Sequence, residues 1–204
     1  MDNLILIDGP YIERALRAAG SPRLDYALLA ARLASPGAVR RVHYAHCLPL
    51  VDAESTPEQE ARYAAKSKFF HALRQIPRFD VHEGRLAAVP AGAGEEARYV
   101  PKLVASTLAA EMLRVALRFR IKRVVLVGGD EEYLPAVRIV RDEAITVAVC
   151  HAPSVYASRE LVDLADERLP LTPDRLWSMA LPERSPVAPQ RTVDLPVQES
   201  EWIR

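Results

Sequence analysis

Three acidic side chains follow two unbroken apolar runs in this sequence. Leu4–Ile7 ends in Asp8, and Val124–Val127 ends in two glycines, Asp130, a second acid and Glu132. Apolar runs without alternation are typical of central strands in a parallel sheet. The carboxyl ends of such strands line one edge, so we expect the three acids to converge there. Crowded carboxylates repel one another unless a proton or cation lies between them, and a hard divalent cation suits them best.

A simpler interpretation of the second run is that Asp130 only caps the helix that follows it. Aspartate is a favoured N-cap, and acids are stabilising in the first turn of a helix. The same ending on a second apolar run, at Asp8, favours a shared site over a lone cap.

Composition leaves the class of partner open. The chain has 204 residues, of which 50% are hydrophobic, and it carries 27 basic and 27 acidic residues. Such a length and apolar content predict one α/β domain with an additional tail. The balanced charge neither indicates nor excludes nucleic acid. We expect no membrane span and a cytosolic protein, because the apolar runs are short and the N-terminus lacks a signal-peptide pattern.

The remaining periodic segments predict strands alternating with helices, hence a mostly parallel sheet covered on both faces. Helical spacing predicts one helix from Pro101 to about Arg118 and another from Thr56 to about Arg74. Residues 79–86 are expected to form an edge strand with a turn near Gly84, and residues 91–97 a glycine- and alanine-rich loop. A last short strand is expected at residues 168–171.

Two further groups of side chains have both a functional and a structural interpretation. Arg62 and Lys66 lie on one face of the second of these helices, which is either a solvated surface or a ridge that grips phosphates beside the acids. A soft-metal site built from His43, His46 and the cysteines is not favoured. Neighbours along a strand point to opposite faces, and the spacing is not that of zinc ligands.

Several motifs together resemble the NYN domain, the LabA-like branch of the PIN-like nucleases. The match runs from Met1 to about Leu171. Residues 7–9 read Ile-Asp-Gly, and residues 128–133 read Gly-Gly-Asp-Glu-Glu-Tyr, close to the family's Ser-Gly-Asp-x-Asp-Phe. Residues 102–105 read Lys-Leu-Val-Ala where the family has Lys-Gly-Val-Asp, and Glu111-Met-Leu follows in the family's register.

The resemblance implies a three-layer Rossmann-like fold with strand order 3-2-1-4-5 and an RNA-cutting activity that uses magnesium or manganese. It implies that Asp8, Asp130 and Glu132 bind the metal and that Lys102 steadies the scissile phosphate. Receiver domains, haloacid-type phosphatases and P-loop proteins fit less well, because their signature residues are missing at these strand ends.

Two departures from the family pattern motivate an alternative function. Tyr11 stands where the family has asparagine, and Ala105 stands where it has an aspartate of the acidic cluster. Glu111 lies roughly 120 degrees around the helix from Ala105, so a surface ion pair is the favoured interpretation of this acid. The alternative is a catalytically degraded NYN fold that binds RNA or protein.

The predicted domain spans residues 1–171, and residues 172–204 are predicted to form a proline-rich C-terminal tail. Prolines recur among polar residues there, which is typical of extended chain. Trp177 and Trp202 offer two anchors. The tail is a candidate docking arm for a second subunit or another protein partner.

Overall fold

The two apolar runs that end in aspartate are neighbouring parallel strands at the centre of one sheet. In the computed structural model, which describes residues 2–52, 54–89, 98–119 and 121–182, β1 is Asp2–Asp8 and β5 is Arg123–Val127. Leu6 of β1 pairs with Leu126 of β5. The side chains of both apolar runs are fully buried. The predicted α/β class and mostly parallel sheet are therefore confirmed.

The described residues form a seven-stranded sheet of order β4-β3-β2-β1-β5-β6-β7. Strands β3 and β4 are antiparallel, and the other neighbours are parallel. The predicted order 3-2-1-4-5 is wrong for this sheet, which has two more strands. The further strands are β2 (Ala38–Cys47), β3 (Phe79–Val89), β4 (Arg98–Lys102), β6 (Thr146–His151) and β7 (Glu167–Pro170).

The unexpected edge strand is β4. Pro101, predicted to open a helix, pairs instead with Leu86 of β3, which continues through Gly84 without the predicted turn. Proline is tolerated on an edge strand because no ladder partner needs its missing N–H. The chain leaves β4 through Leu103, whose φ is 67°, and only then begins a helix. The loop predicted for residues 91–97 lies outside the described residues.

Helices cover both faces of the sheet, and each face has its own core. Alternation along β1 sends Ile5 and Ile7 to one core and Leu4 and Leu6 to the other. The first core packs on α1 (Gly9–Ala18), α2 (Tyr26–Ala34), α3 (Pro57–Arg74) and α7 (Pro173–Trp177). The second packs on α4 (Val104–Arg118), α5 (Leu134–Asp142) and α6 (Arg159–Leu164). No helix in the described ranges is long and apolar enough to cross a membrane.

The chain after the last strand stays on the domain as far as it is described. Leu176 of α7 is buried in the first core, and the indole N–H of Trp177 donates to the carbonyl of Ala19 at 2.8 Å. Ala180 forms a bridge with Leu24. Trp177 therefore acts as an anchor, whereas Trp202 lies outside the described residues. The boundary between residues 171 and 172 stays a prediction.

Candidate functional site

Asp8 lies at the carboxyl end of β1 and is almost fully enclosed. Its Oδ1 accepts a hydrogen bond from the backbone N–H of Tyr11 at 2.8 Å, which caps α1. Its Oδ2 accepts from the hydroxyl of Tyr133 at 2.8 Å. The residue is 7% exposed, and burial raises the pKa of its carboxyl above the ordinary value despite these hydrogen bonds. A nearby positive charge would stabilise the ionised form.

Asp130 follows β5 at the same edge of the sheet and is exposed. Its Oδ1 accepts from the backbone N–H of Glu132 at 2.9 Å and so caps a short 3-10 turn, Glu131–Tyr133. The charge of Asp130 also raises the pKa of Asp8, by less than burial raises it. Burial raises the pKa of the Tyr133 hydroxyl, and the charges of Asp8 and Glu132 add to this effect. The three predicted acids are thus brought to one region around Tyr133.

Two glycines allow the close backbone approaches that this edge requires. A Cβ on Gly9 would lie 2.5 Å from the ring of His46 and 2.7 Å from the carbonyl of Ala45. A Cβ on Gly129 would lie 2.6 Å from the ring of Tyr11. Any side chain larger than hydrogen would clash at either position. Gly9 and Gly129 therefore allow the backbone beside Asp8 and Asp130 to pack closely, which sets the positions of the two aspartates.

Tyr11, which replaces the family's asparagine, is buried beneath this edge. Its hydroxyl accepts a hydrogen bond from the backbone N–H of Ala152 at 3.0 Å, just beyond β6. Burial raises the pKa of this hydroxyl. Tyr11 therefore ties α1 to β6 and supports the floor of the site, and its ring is not presented to solvent.

Arg14 adds a positive charge that the sequence analysis did not identify. Its guanidinium lies 5.6 Å from the ring centroid of Tyr11. The positive charge of Arg14 also lowers the pKa of Asp8, although its effect is smaller than those of burial and of the two hydrogen bonds. A cavity of about 280 Å³ beside Asp130 is lined by Arg14, Gly129, Asp130, Glu131 and the exposed Tyr156. Arg14 lies six residues after Asp8, on the helix that Asp8 caps. The sequence spacing indicates that the two charges are close only once this cap is known.

Lys66 and Arg62, the proposed phosphate ridge, occupy different environments. Lys66 forms an ion pair with Glu13, whose Oε2 also lies 3.0 Å from Nε2 of His46. Arg62 is exposed and pairs with Glu58 at 2.6 Å. Both basic side chains line an open groove of about 1230 Å³ between α1, α3 and the end of β2. Lys66 is thus already neutralised within the protein, whereas Arg62 is on the groove's surface.

Glu13→Gln is expected to destabilise the protein by about 1.5–3 kcal/mol at neutral pH, since hydrogen bonds to charged groups are worth that much. Although burial alone would raise the pKa of Glu13, His46 and Lys66 lower it to about 2 from 4.5. Because the pKa of Glu13 is lower in the folded state than in the unfolded state, ionised Glu13 stabilises the folded protein above about pH 4.5. This stabilisation is lost as the pH falls from 4.5 toward 2. Urea unfolding at several pH values should show the difference shrink across that window. Glu58→Gln, at an exposed pair, is the control and should change little.

The resemblance implied that Lys102 and residue 105 lie near the acids, whereas a surface ion pair was the favoured interpretation of Glu111. Lys102 is exposed at the end of β4, and Ala105 is 8% exposed in the first turn of α4. Ala105 belongs to the same buried cluster as Tyr133, which donates to Asp8. Glu111 lies two turns further along α4, pairs with Arg114, and faces His43 rather than Asp8.

A second cluster, formed by His43, His82 and Glu111, lies between α4 and strands β2 and β3. Nδ1 of His43 is 2.8 Å from Nε2 of His82 and 3.8 Å from Oε2 of Glu111. Within the ranges that the structure describes, this is the group of three whose potential ligand atoms all lie within 4.8 Å of one another. The predicted trio of Asp8, Asp130 and Glu132 is not such a group.

Opposing effects set the protonation states in this second cluster. Burial lowers the pKa of His43 to about 4, so its imidazole is neutral near pH 7. Burial would raise the pKa of Glu111, but the hydrogen bond from Arg114 holds it below its usual value. The cluster thus offers a neutral imidazole beside an ionised carboxylate.

The sheet, its two helical layers and the aspartates at adjacent strand ends define a three-layer α/β domain with a strand-end acidic site. The chain belongs to the NYN domain family, whose model matches residues 4–172. This is a nuclease-like family, as the sequence motifs indicated, and its members typically use divalent metals.

The solved structures support the fold alone. A protein of unknown function from Vibrio parahaemolyticus is 20% identical, with a TM-score of 0.56 over 83% of this chain and 92% of that one. MurG of Acinetobacter baumannii is 12% identical and aligns over 83% of this chain and 45% of its own, but its TM-score of 0.35 is too low to support an argument. No curated protein matches the chain.

Proposed function

We propose that this protein is a metal-dependent ribonuclease whose reaction centre lies at the ends of β1 and β5. The observation that carries the proposal is the convergence of Asp8 and Asp130 from adjacent strands in a family of nuclease-like proteins. Asp8 is buried at an energetic cost to its charged form, and a second carboxylate increases that cost. A bound cation would offset both effects.

The donor set fits a magnesium or manganese ion. One oxygen of each aspartate accepts a capping hydrogen bond from a backbone N–H, but each carboxylate oxygen has a second lone pair available for a ligand. Magnesium commonly uses only one or two protein carboxylates and keeps several waters. Asp8 and Asp130 would hold the ion, with Glu132 completing the shell or orienting a water. When bound, the metal would activate that water and neutralise charge on the phosphate.

The surrounding side chains suit an RNA backbone. Arg14 lines the small cavity beside Asp130, where it would contact a phosphate oxygen. Arg17, Arg23 and Arg62 line the open groove on the other side of α1. Phosphate contacts position a nucleic acid without reading its sequence, so these residues predict broad RNA specificity. Lys102, exposed before α4, would steady the phosphate at the scissile position.

The test is cleavage of labelled RNA by the full chain with magnesium or manganese, with and without EDTA. Cleavage should require the ion, and Asp130→Asn should lower its rate about 100-fold, the scale for losing one group that stabilises transition-state charge. Asp142→Asn is the matched control, because Asp142 is exposed at the far end of α5. Cleavage that persists in EDTA, or that Asp130→Asn leaves intact, would exclude this function.

The missing acid at Ala105 favours a second candidate, an RNA- or protein-binding module on the same fold. Both oxygens of Asp8 already accept hydrogen bonds, and a methyl group cannot bind a cation. In this case RNA, or a partner bound through the proline-rich tail, would bind equally well with and without EDTA. Metal-dependent turnover in the cleavage assay would count against this candidate.

A further inference from the structure

The cluster of His43, His82 and Glu111 joins three elements on the face of the sheet that α4 covers. His43 comes from β2, His82 from β3 and Glu111 from the middle of α4. The two imidazole rings meet edge to edge, with centroids 5.1 Å apart and Nδ1 of His43 2.8 Å from Nε2 of His82. Two nitrogens and a carboxylate oxygen thus lie within 4.8 Å of one another, although their residues are far apart in the sequence.

We propose that His43, His82 and Glu111 form a binding site for a zinc-like divalent transition metal, separate from the strand-end carboxylates. Two imidazoles and one carboxylate are an established donor set for zinc, with ligand bonds of roughly 2.0–2.2 Å. Tetrahedral bonds of that length place ligand atoms roughly 3.3 Å apart. Two of the observed separations, 2.8 and 3.8 Å, lie on either side of that value, and all three ligand atoms lie within 4.8 Å of one another, so side-chain rotations would bring them to a metal.

Nδ1 is the nitrogen of His43 that would bind the metal. His43 is buried, and its Nδ1 lies 2.8 Å from Nε2 of His82 and 3.8 Å from Oε2 of Glu111. A metal at Nδ1 would leave the imidazole proton on Nε2, which has no hydrogen-bond partner among the described residues. Nitrogen donors also select a metal of intermediate softness over magnesium, which prefers oxygen. The strand-end aspartates and this cluster should therefore bind different ions.

Arg114 is the group that competes with the metal. Its guanidinium donates to Oε2 of Glu111, the same oxygen that faces His43. Arg114 is half-exposed, so its side chain can move into solvent when a cation binds. Asp80 is a further acid near the cluster, with Oδ2 3.8 Å from Nδ1 of His43, and it lines a neighbouring cavity of about 350 Å³ together with Arg114. A bound ion would tie α4 to β2 and β3.

This site is tested by titrating the metal-stripped full chain with zinc chloride, measured by calorimetry, and with cobalt chloride, measured by visible absorption. The titrations use Asp8→Asn/Asp130→Asn protein, so that zinc at the strand-end carboxylates is excluded. One zinc per chain should bind, and cobalt should show the absorption of a nitrogen-ligated ion. His82→Ala should weaken zinc binding by about 100-fold or more, since even supporting residues of metal sites contribute 10- to 100-fold.

Matched variants separate ligation from folding. His82 is only partly buried, so the zinc-free His82→Ala protein should remain folded, although it should melt somewhat lower than its parent because it loses the hydrogen bond to His43. His71→Ala removes an exposed histidine of α3 and should leave zinc affinity unchanged. Arg114→Gln should bind zinc at least as tightly, because it removes the competing cation. Absence of zinc uptake, uptake unaffected by His82→Ala, or weaker uptake in Arg114→Gln would overturn the assignment. None of these outcomes depends on whether the chain cuts RNA.

Discussion

Asp8→Asn is expected to lower metal-dependent RNA cleavage by about 100-fold or more, the scale for losing one group that stabilises transition-state charge. The substitution separates the two roles of this residue. Asparagine is as good an N-cap as aspartate, so Oδ1 can still accept from the N–H of Tyr11. It also retains an acceptor or donor for the Tyr133 hydroxyl. What it removes is the negative charge that would hold a magnesium or manganese ion.

The stability of the same variant distinguishes loss of chemistry from loss of fold. Burial raises the pKa of Asp8, so its ionised form is disfavoured in the folded state. Replacing it by a neutral amide should leave the melting temperature in EDTA unchanged or higher. Manganese should raise the melting temperature of the parent chain and not that of Asp8→Asn. A variant that still cleaves at the parent rate would show that Asp8 is only a helix cap.

The position of the strand-end acids could be predicted because it depends on local patterns. Leu4–Ile7 and Val124–Val127 are apolar without alternation, which identifies central strands, and parallel strands necessarily end at one edge. The sequence therefore predicted that Asp8 and Asp130 would follow central strands. It did not predict how deeply each lies. Asp8 is enclosed because Tyr133 folds back over it, a contact between residues 125 positions apart.

The edge of the sheet was predicted less well, because edges depend on pairing partners. Residues 98–102 carry no strong strand signal, and Pro101 resembles a helix start until Leu86 is seen to pair with it. Likewise, His43 and His82 were not linked by their sequence spacing. Their approach follows from the register of β2 against β3, in which Ala45 pairs with His82. The sequence offered only a histidine in each of two strands and Glu111 on a helix as an indication of this cluster.

Ala105→Asp is expected to raise metal-dependent cleavage on the order of 10- to 100-fold, the range over which residues that support a metal site act. It restores the acid that the NYN pattern places in the first turn of α4. Ala105 packs in the same cluster as Tyr133, so a carboxylate at this position would approach the enclosure around Asp8. An acid in the first turn of a helix is also stabilising, by about 0.3–1 kcal/mol, which offsets part of its desolvation.

Ala105→Asn is the matched control for this gain, because it has the same shape without the charge. Initial cleavage rates at saturating manganese should increase for Ala105→Asp and stay at the parent value for Ala105→Asn. If the parent chain is inactive and Ala105→Asp alone cuts RNA in an EDTA-sensitive reaction, one missing carboxylate separates a binding module from a nuclease on this fold. Equal rates in both variants would mean that residue 105 does not contribute to the metal site, and that Asp8 and Asp130 act without it.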